Sequence, residues 1–257
     1  MSEHLIVDTP LPGVRLLTLN RPERRNALAT PLLAEVGDAL ADAASDPEIR
    51  VAVVTGGPAV FAAGADLSEM AKLGPDDPIE SPRFLAWEAI RACPLPMVAA
   101  VEGWCLGAGM ELATACDFIV AGAGAKLGQP ETNLGIIPGG GATATLARLV
   151  GRMLATRMIL TGEPIGVEEA LAAGLVAEVA PSGEALGRAL ALAERLAARA
   201  PLALRAAKAS IRAADQLPLA EQLREERRRH VELYGTADKA EGIAAFLEKR
   251  PAAFTGR

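Results

Sequence analysis

From Ala99 to Ala121 the chain runs Ala-Ala-Val-Glu-Gly-Trp-Cys-Leu-Gly-Ala-Gly-Met-Glu-Leu-Ala-Thr-Ala-Cys-Asp-Phe-Ile-Val-Ala. This stretch reads as a buried strand, a glycine-rich turn, a short helix and a second strand. An apolar strand that passes through a tight turn into a helix and then into another apolar strand belongs to an α/β layer. Gly107, Ala108 and Gly109 stand where the helix begins, so unpaired backbone N–H groups face outward there. Such groups hold an anion, or an oxygen that becomes anionic during a reaction. Glu111 follows in the first helical turn. Read alone, it is either a dipole-complementing helix residue or half of an active centre.

The same alternation recurs on either side. Val14 to Leu19 reads as a strand. Thr30 as N-cap and Pro31 as first helical residue start a helix whose apolar face is Leu32, Leu33, Val36 and Leu40. Val51 to Thr55 is a continuous apolar run, the mark of a strand covered on both faces. Phe61-Ala-Ala-Gly-Ala-Asp66 forms a second small-residue loop, and residues 72–82 a proline-rich surface loop. Helix is expected over Phe84–Ala92 and strand over Met97–Val101. Leu134-Gly-Ile-Ile-Pro-Gly-Gly-Gly141 is a third small-residue loop, followed by helices through Leu146–Val150 and Met153–Leu160. A short helix over Val167–Ala173 and a short strand over Leu175–Val179 come next. From about Glu184 the chain is helical, divided at Pro201, Pro218 and Gly235. These signals give an α/β core over residues 1–195 and a helical region over 196–257. That region is too apolar to float free, so it packs on the core or on a neighbouring subunit.

Composition narrows the chemistry. Hydrophobic residues make up 51% of the 257 residues and aromatics only 3%, so the core is built from Ala, Leu, Val and Ile. A net charge of −6 argues against wholesale nucleic-acid binding. Cys93, Cys105 and Cys116 have neither zinc spacing nor an even count, and read as core residues in a reducing compartment. The N-terminus, Met-Ser-Glu-His-Leu-Ile-Val, lacks a signal pattern, and no apolar run reaches the roughly 20 residues of a membrane span. A cytoplasmic protein without membrane association is expected.

The two histidines, His4 and His230, lie near the N-terminus and in the charged tail. A Ser-His-Asp triad and a histidine metal site are therefore disfavoured, and no metal is expected. The glycine loops lack the Lys-Ser/Thr of a phosphate-binding loop. Acid–base work falls to carboxylates. Glu131, twenty residues beyond Glu111, is either a solvated loop group or the second member of a general acid–base pair. The loop at 62–66 is either a turn capped by Asp66 or a second source of anion-hole amides. Arg21, Arg24 and Arg25 are a solvated run or a phosphate contact.

Taken together, Leu19-Asn-Arg-Pro22, Asn26-Ala-Leu28, Phe61-Ala-Ala-Gly-Ala-Asp66, the 99–121 stretch, Gly128-Gln-Pro-Glu131, Leu134-Gly-Ile-Ile-Pro-Gly139 and Phe246-Leu-Glu-Lys-Arg250 resemble the enoyl-CoA hydratase/isomerase (crotonase) family over essentially the whole chain. The resemblance implies a crotonase-like α/β spiral of ββα turns with a C-terminal helical trimerisation region, assembled as a homotrimer or a dimer of trimers. It implies an acyl-CoA thioester substrate that itself carries the coenzyme A, with no separate cofactor. Matching positions give Glu111 and Glu131 as the catalytic carboxylates and Ala65 and Ala108 as the oxyanion-hole amides. They give Arg24, Arg25, Ala27, Ala63, Gly64, Asp66, Leu67 and Lys249 as the coenzyme A side, with Phe246, Lys249 and Phe254 near the closing tail. Both glutamates together imply a hydratase that adds water syn across a 2-enoyl-CoA. Double-bond isomerisation, or a non-catalytic acyl-CoA- or RNA-binding role, are the alternatives.

Two departures stand out. The usual glycine triplet is Gly107-Ala108-Gly109, and the usual Gly-Gly-Thr-Gln-Arg reads Gly141-Ala-Thr-Ala-Thr145. Gly107-Ala-Gly109, Ser68-Glu-Met70 and Pro201–Lys208 are similar to the subgroup that works in phenylacetate degradation on a chain with a second carboxylate; a generic short-chain member of the family is the alternative.

Overall fold

The computed structural model describes residues 4–257; Met1 to Glu3, part of the segment read for a signal pattern, lie outside them. The chain opens with strands β1 (Leu5–Leu11) and β2 (Val14–Leu19), then helix α1 (Thr30–Ser45) and strand β3 (Val51–Thr55). Helices α2 (Leu67–Met70) and α3 (Pro82–Ala92) precede β4 (Met97–Val101), β5 (Trp104–Leu106) and α4 (Ala108–Ala115). Next come β6 (Phe118–Gly122), β7 (Lys126–Gly128), α5 (Ala142–Thr161), β8 (Ile165–Gly166), α6 (Val167–Ala172) and β9 (Glu178–Ala180). Four helices finish the chain: α7 (Ala185–Ala197), α8 (Pro201–Ala213), α9 (Leu219–Glu232) and α10 (Ala237–Glu248).

Two sheets form among the described residues. The larger has the order β1-β2-β3-β4-β6-β9, and the smaller β5-β7-β8. The ββα turn is visible in the alternation. β4 joins the large sheet, β5 the small one, and α4 follows; β6 and β7 repeat the pattern before α5. From β2 onward the large sheet is parallel, and its central strands β3 and β4 are buried along their length. Alternate side chains explain the continuous apolar runs. Ala52 and Val54 face one core with Met97, Ala99 and Val101. Val51 and Val53 face a second core with Val98 and Ala100. Helix α7 covers that second face with Ala189, Ala193 and Ala197, four residues apart and therefore on one side of the helix.

The helical region also docks on the core. Buried Lys208 on α8 pairs with Asp117 at 2.7 Å, and Arg212 reaches the same carboxylate at 3.3 Å. Arg50 donates to Ala197 O at 3.0 Å and to Phe254 O at 2.8 Å.

Several expectations need correction. Strand β1 was not anticipated: only Leu5 is buried along it, so its sequence carries no inward-outward alternation. The 99–121 stretch holds two strands before its helix, because the chain changes sheets at Glu102-Gly103. Thr30 is not the N-cap of α1. Ala29 takes that place without a side-chain cap bond, while Thr30 N donates to Glu69 at 2.8 Å and the Thr30 hydroxyl bonds the same carboxylate. A charged acceptor on α2 thus does the capping, and it draws α2 onto the start of α1. The strand expected over Leu175–Val179 is β9, at Glu178–Ala180; Leu175 and Val176 are buried before it. The break expected between Val150 and Met153 is real: α5 departs from helical dihedrals at Gly151.

Candidate active site

The site grows from the turn between β5 and α4. Gly107 has φ 51°, and its N–H donates to Gly128 O at 2.9 Å. Two conditions require glycine there. The positive φ is one. The other is contact: a Cβ at Gly107 would lie 2.9 Å from Glu131 Oε1 and 3.6 Å from Gly64 Cα. The turn is therefore pressed against the 63–66 loop on one side and against Glu131 on the other. Gly109 is fixed by a close approach, since a Cβ would lie 2.5 Å from Ala62 O. Ala108, between them, carries its methyl group into the apolar core. Gly109→Ala is expected to destabilise the fold by about 1–3 kcal/mol through overpacking against backbone. A thermal melt indistinguishable from the parent would contradict that contact.

Two N–H groups are left over. Ala108 is the first residue of α4, so its N–H has no intrahelical acceptor. In the 63–66 loop, Gly64 O accepts from Leu28 N at 2.8 Å and Asp66 N donates to Leu28 O at 3.3 Å. Ala65 lies between these bonds. Among the described residues neither the Ala65 nor the Ala108 N–H has a protein acceptor, and both residues line the same cleft.

Asn26 and Arg21 hold the 63–66 loop in place. The buried Asn26 amide donates to Gly56 O, Val60 O and Phe61 O at 2.8, 3.1 and 3.2 Å. Arg21 pairs with Asp66 at 2.9 Å and donates to Ala27 O at 2.6 Å. Asp66 also caps α2 by accepting from Ser68 N at 3.0 Å. Burial works to raise its pKa, but the Arg21 bond and the Ser68 N–H prevail and hold it below the usual carboxylate value. Arg21 is thus a structural cation, whereas Arg24 and Arg25 are exposed.

Two carboxylates complete the site. Glu111, in the first turn of α4, is buried; its Oε1 accepts from Ala142 N at 3.0 Å. Gly140 is its second floor. A Cβ there would lie 2.5 Å from Glu111 Oε2 and 2.8 Å from Trp87 Cε2. Burial raises the Glu111 pKa, opposed by the Ala142 and Gly140 N–H groups and by Arg91 and Arg83. Glu131 opens a 3-10 turn over Glu131–Leu134 and is also buried. Its carboxyl is pushed up to about 7, by burial first and by the Glu111 charge as well. Turned so that its amide donates, buried Gln129 places its nitrogen 3.1 Å from both Glu131 oxygens. One carboxylate bound by N–H groups and a second poised to keep its proton near neutrality make a base and an acid.

The raised Glu131 value also makes a stability prediction. The folded chain holds this proton when the unfolded chain, with its ordinary value of 4.5, has released it. Glu131 therefore costs the wild type stability progressively from about pH 4.5 to about pH 7, and in full above that. Glu131→Gln lacks this cost. The gap in melting temperature, variant minus wild type, should be larger at pH 8 than at pH 5; an equal gap would contradict the raised value.

The cleft enclosing these groups has a volume of about 1300 Å³. Of the positions expected from the sequence, Glu111, Glu131, Ala65, Ala108, Arg24, Ala27, Ala63, Gly64, Asp66 and Leu67 line it. Arg25 and Lys249 do not; Lys249 ends α10 in a left-handed conformation. Phe84, from α3, and Ile136 and Ile137, from the third small-residue loop, add apolar wall. Arg83 and Glu69 line it too, unannounced by the sequence. The one signal for Arg83 was its position four residues before Trp87, on the same side of α3.

A family model described as enoyl-CoA hydratase/isomerase matches residues 11–257. A 2,3-dehydroadipyl-CoA hydratase of Escherichia coli K12 is 47% identical, over 95% of this chain and 96% of that one. A mitochondrial enoyl-CoA hydratase of Pongo abelii is 40% identical, over 94% of this chain and 83% of the relative. The crystal structure of an enoyl-CoA hydratase from Bacillus anthracis superposes with a TM-score of 0.93 at 36% identity, covering 99% of this chain and all of that one.

Proposed function

The chain belongs to the enoyl-CoA hydratase/isomerase family, and from that premise we propose that it is an enoyl-CoA hydratase, adding water across the 2,3 double bond of a 2-enoyl-CoA to form the 3-hydroxyacyl-CoA. The observation that carries this reading is the pair of buried carboxylates, Glu111 and Glu131, on a cleft that offers two unpaired backbone N–H groups.

The thioester oxygen sits between the Ala65 and Ala108 N–H groups. Their dipoles polarise the carbonyl and lower electron density at C3. Glu111, ionised, takes a proton from a water molecule as the water oxygen bonds to C3. The π electrons move toward C2 and onto the thioester oxygen, giving an enolate held by the two amides. Glu131, protonated, passes its proton to C2 as the carbonyl re-forms. Water is thereby consumed whole, its hydroxyl on C3 and a proton on C2. The proton left on Glu111 must reach Glu131 or solvent before the next turnover. Glu111 and Glu131 line the same cleft, which supports syn addition.

No cofactor is required, because the substrate brings its own coenzyme A. Arg24, Ala27 and residues 63–67 form the coenzyme A side of the cleft, with Arg25 and Lys249 as outlying members. Ile243, Phe246 and Leu247 on α10 are exposed apolar residues, which supports assembly as a homotrimer or a dimer of trimers. The similarity to a 2,3-dehydroadipyl-CoA hydratase supports a place in phenylacetate degradation. The enzyme is taken to be cytoplasmic and to bind neither membrane nor nucleic acid, the last supported by its net charge of −6.

Crotonyl-CoA tests the reading. Loss of the enoyl-thioester absorbance, with 3-hydroxybutyryl-CoA as product, is the expected result. A purified protein that leaves crotonyl-CoA and longer 2-enoyl-CoA substrates intact, yet shifts the double bond of a 3-enoyl-CoA, would make it an isomerase instead.

A further inference from the structure

The direction of the Ala65 N–H is set by its own peptide plane. That N–H shares a planar trans unit with the Gly64 carbonyl, so the two point opposite ways. Gly64 O accepts from Leu28 N at 2.8 Å, which turns the Ala65 N–H away from Leu28; Ala65 itself lines the cleft. Gly64 has φ 126°, a conformation that only glycine takes up freely, so the local backbone does little to fix this plane. Its orientation depends on Leu28, which forms a parallel bridge with Ala65 and whose carbonyl accepts from Asp66 N at 3.3 Å.

Two arginines hold this bridge. Arg21 takes its flanks, donating to Ala27 O at 2.6 Å and pairing with Asp66 at 2.9 Å. Arg83 takes its centre: its Nη1 donates to Leu28 O at 3.0 Å, a shorter bond than the one from Asp66 N. Among the described residues this is the one hydrogen bond of the Arg83 side chain. The nearby carboxylates do not divert it. Glu69 is taken by the N–H and hydroxyl of Thr30, Asp66 by Arg21 and Ser68 N, and Glu111 by Ala142 N. Arg83 is the second residue of α3 and half-buried, so its bond ties the start of that helix to the 63–66 loop through a single backbone carbonyl.

We propose that Arg83 is a positioning residue for the oxyanion hole: by holding the Leu28 carbonyl it locks the bridge that aims the Ala65 N–H. The proposal rests on the hydratase reading, which places the thioester oxygen between Ala65 and Ala108. Arg83 acts there through Leu28 and touches no reacting atom. A preorganised donor owes its strength to not having to reorient as charge develops. Without Arg83 the Leu28 carbonyl keeps only the longer bond from Asp66 N, and the Ala65 peptide regains freedom to swing at Gly64. The loss falls on the enolate, which needs both donors fixed, and not on the bound substrate, whose oxygen carries little charge. Ala108 keeps its N–H through its place at the start of α4, so the loss is partial.

Wild type, Arg83→Met and Arg83→Lys are compared on crotonyl-CoA, each checked for folding by thermal melt. Methionine keeps the packing of the stem and removes the donors, whereas lysine keeps donors enough for one carbonyl. In Arg83→Met kcat should fall by about tenfold with KM within about twofold of wild type, a smaller loss than the about 10²- to 10³-fold of deleting a donor outright. Arg83→Lys should recover most of this loss. A second readout bypasses the two glutamates. Acetoacetyl-CoA forms an enolate, seen by its ultraviolet absorbance, and the pH at which the enzyme-bound thioester is half enolised reports on the hole. That midpoint should rise by about one pH unit in Arg83→Met, the same tenfold expressed as an equilibrium, and return toward wild type in Arg83→Lys. A rise in KM with kcat unchanged would make Arg83 a substrate contact and overturn the proposal. So would a loss of kcat with the enolate midpoint unmoved, since Arg83 would then support some other part of the fold. A wild type that leaves crotonyl-CoA intact would overturn the hydratase reading, whereas the enolate midpoints test Arg83 in either event.

Discussion

Glu131→Gln is expected to lower kcat for 2-enoyl-CoA hydration by about 10²- to 10⁴-fold, and Glu111→Gln by a similar factor. Glutamine keeps the size and the hydrogen-bonding reach of either side chain, so the cleft keeps its shape. It can neither accept the water proton at position 111 nor release one to C2 at position 131. In the proposed mechanism the substrate is gripped elsewhere, by the 63–67 loop and the two amides, so KM should move little and the loss should appear in kcat. The double variant should lose far less than the product of the two factors, because both residues serve one addition step. Each measurement follows enoyl-thioester absorbance with crotonyl-CoA. Activity within tenfold of wild type in either single variant would end the two-carboxylate mechanism.

The pH profile adds an independent reading of the pair. In the proposed hydration steps Glu131 acts protonated, and its carboxyl is pushed up to about 7. The acid is therefore progressively lost as pH rises through neutrality. Glu111 acts ionised, so its protonation limits the acid side. The two carboxylates interact, so the limbs belong to the pair and not to either residue alone.

How much of this was readable in the sequence depended on whether the signal was local. The strands Val51–Thr55 and Met97–Val101 are continuous apolar runs because each is covered on both faces, and a run of that kind needs no tertiary context to be recognised. The helix breaks at Pro201, Pro218 and Gly151 are likewise local in origin. Strand β1 carries no such signal, because it is a sheet edge held by backbone bonds to β2 with mostly exposed side chains. Thr30 looked like a cap because the competing acceptor, Glu69, lies 39 residues away in sequence.

The site divides in the same manner. Gly107 and Glu111 announce themselves by spacing, but Glu131 gains meaning only when Gly107 brings it against the turn. Arg21 read as either a solvated charge or a phosphate contact, and it is paired with Asp66. Arg83 had one faint signal, its place four residues before Trp87 on α3, and a single arginine in the first turn of a helix is ordinary until the cleft forms around it. Fold and reaction class are written in patterns, whereas the lining of the cleft is written in contacts that exist only after folding.

Ala108→Pro isolates the contribution of one backbone N–H. Proline removes the donor and nothing else that the helix needs, because Ala108 is the first residue of α4 and its N–H makes no intrahelical bond. The residue before a proline is restricted partly through its Cβ, and Gly107 has none. The fold should therefore survive, as a melt would register, while kcat falls by about 10²- to 10³-fold, the usual cost of deleting one oxyanion-hole donor. The loss should exceed any change in substrate affinity, because the thioester oxygen carries most of its charge in the enolate and little in the bound substrate. Ala108→Gly keeps the N–H and should retain activity close to wild type, which separates the donor from the methyl group. A folded Ala108→Pro enzyme with turnover within threefold of its parent would mean that this N–H does not hold the oxygen. The thioester would then have to be polarised from the Ala65 side alone.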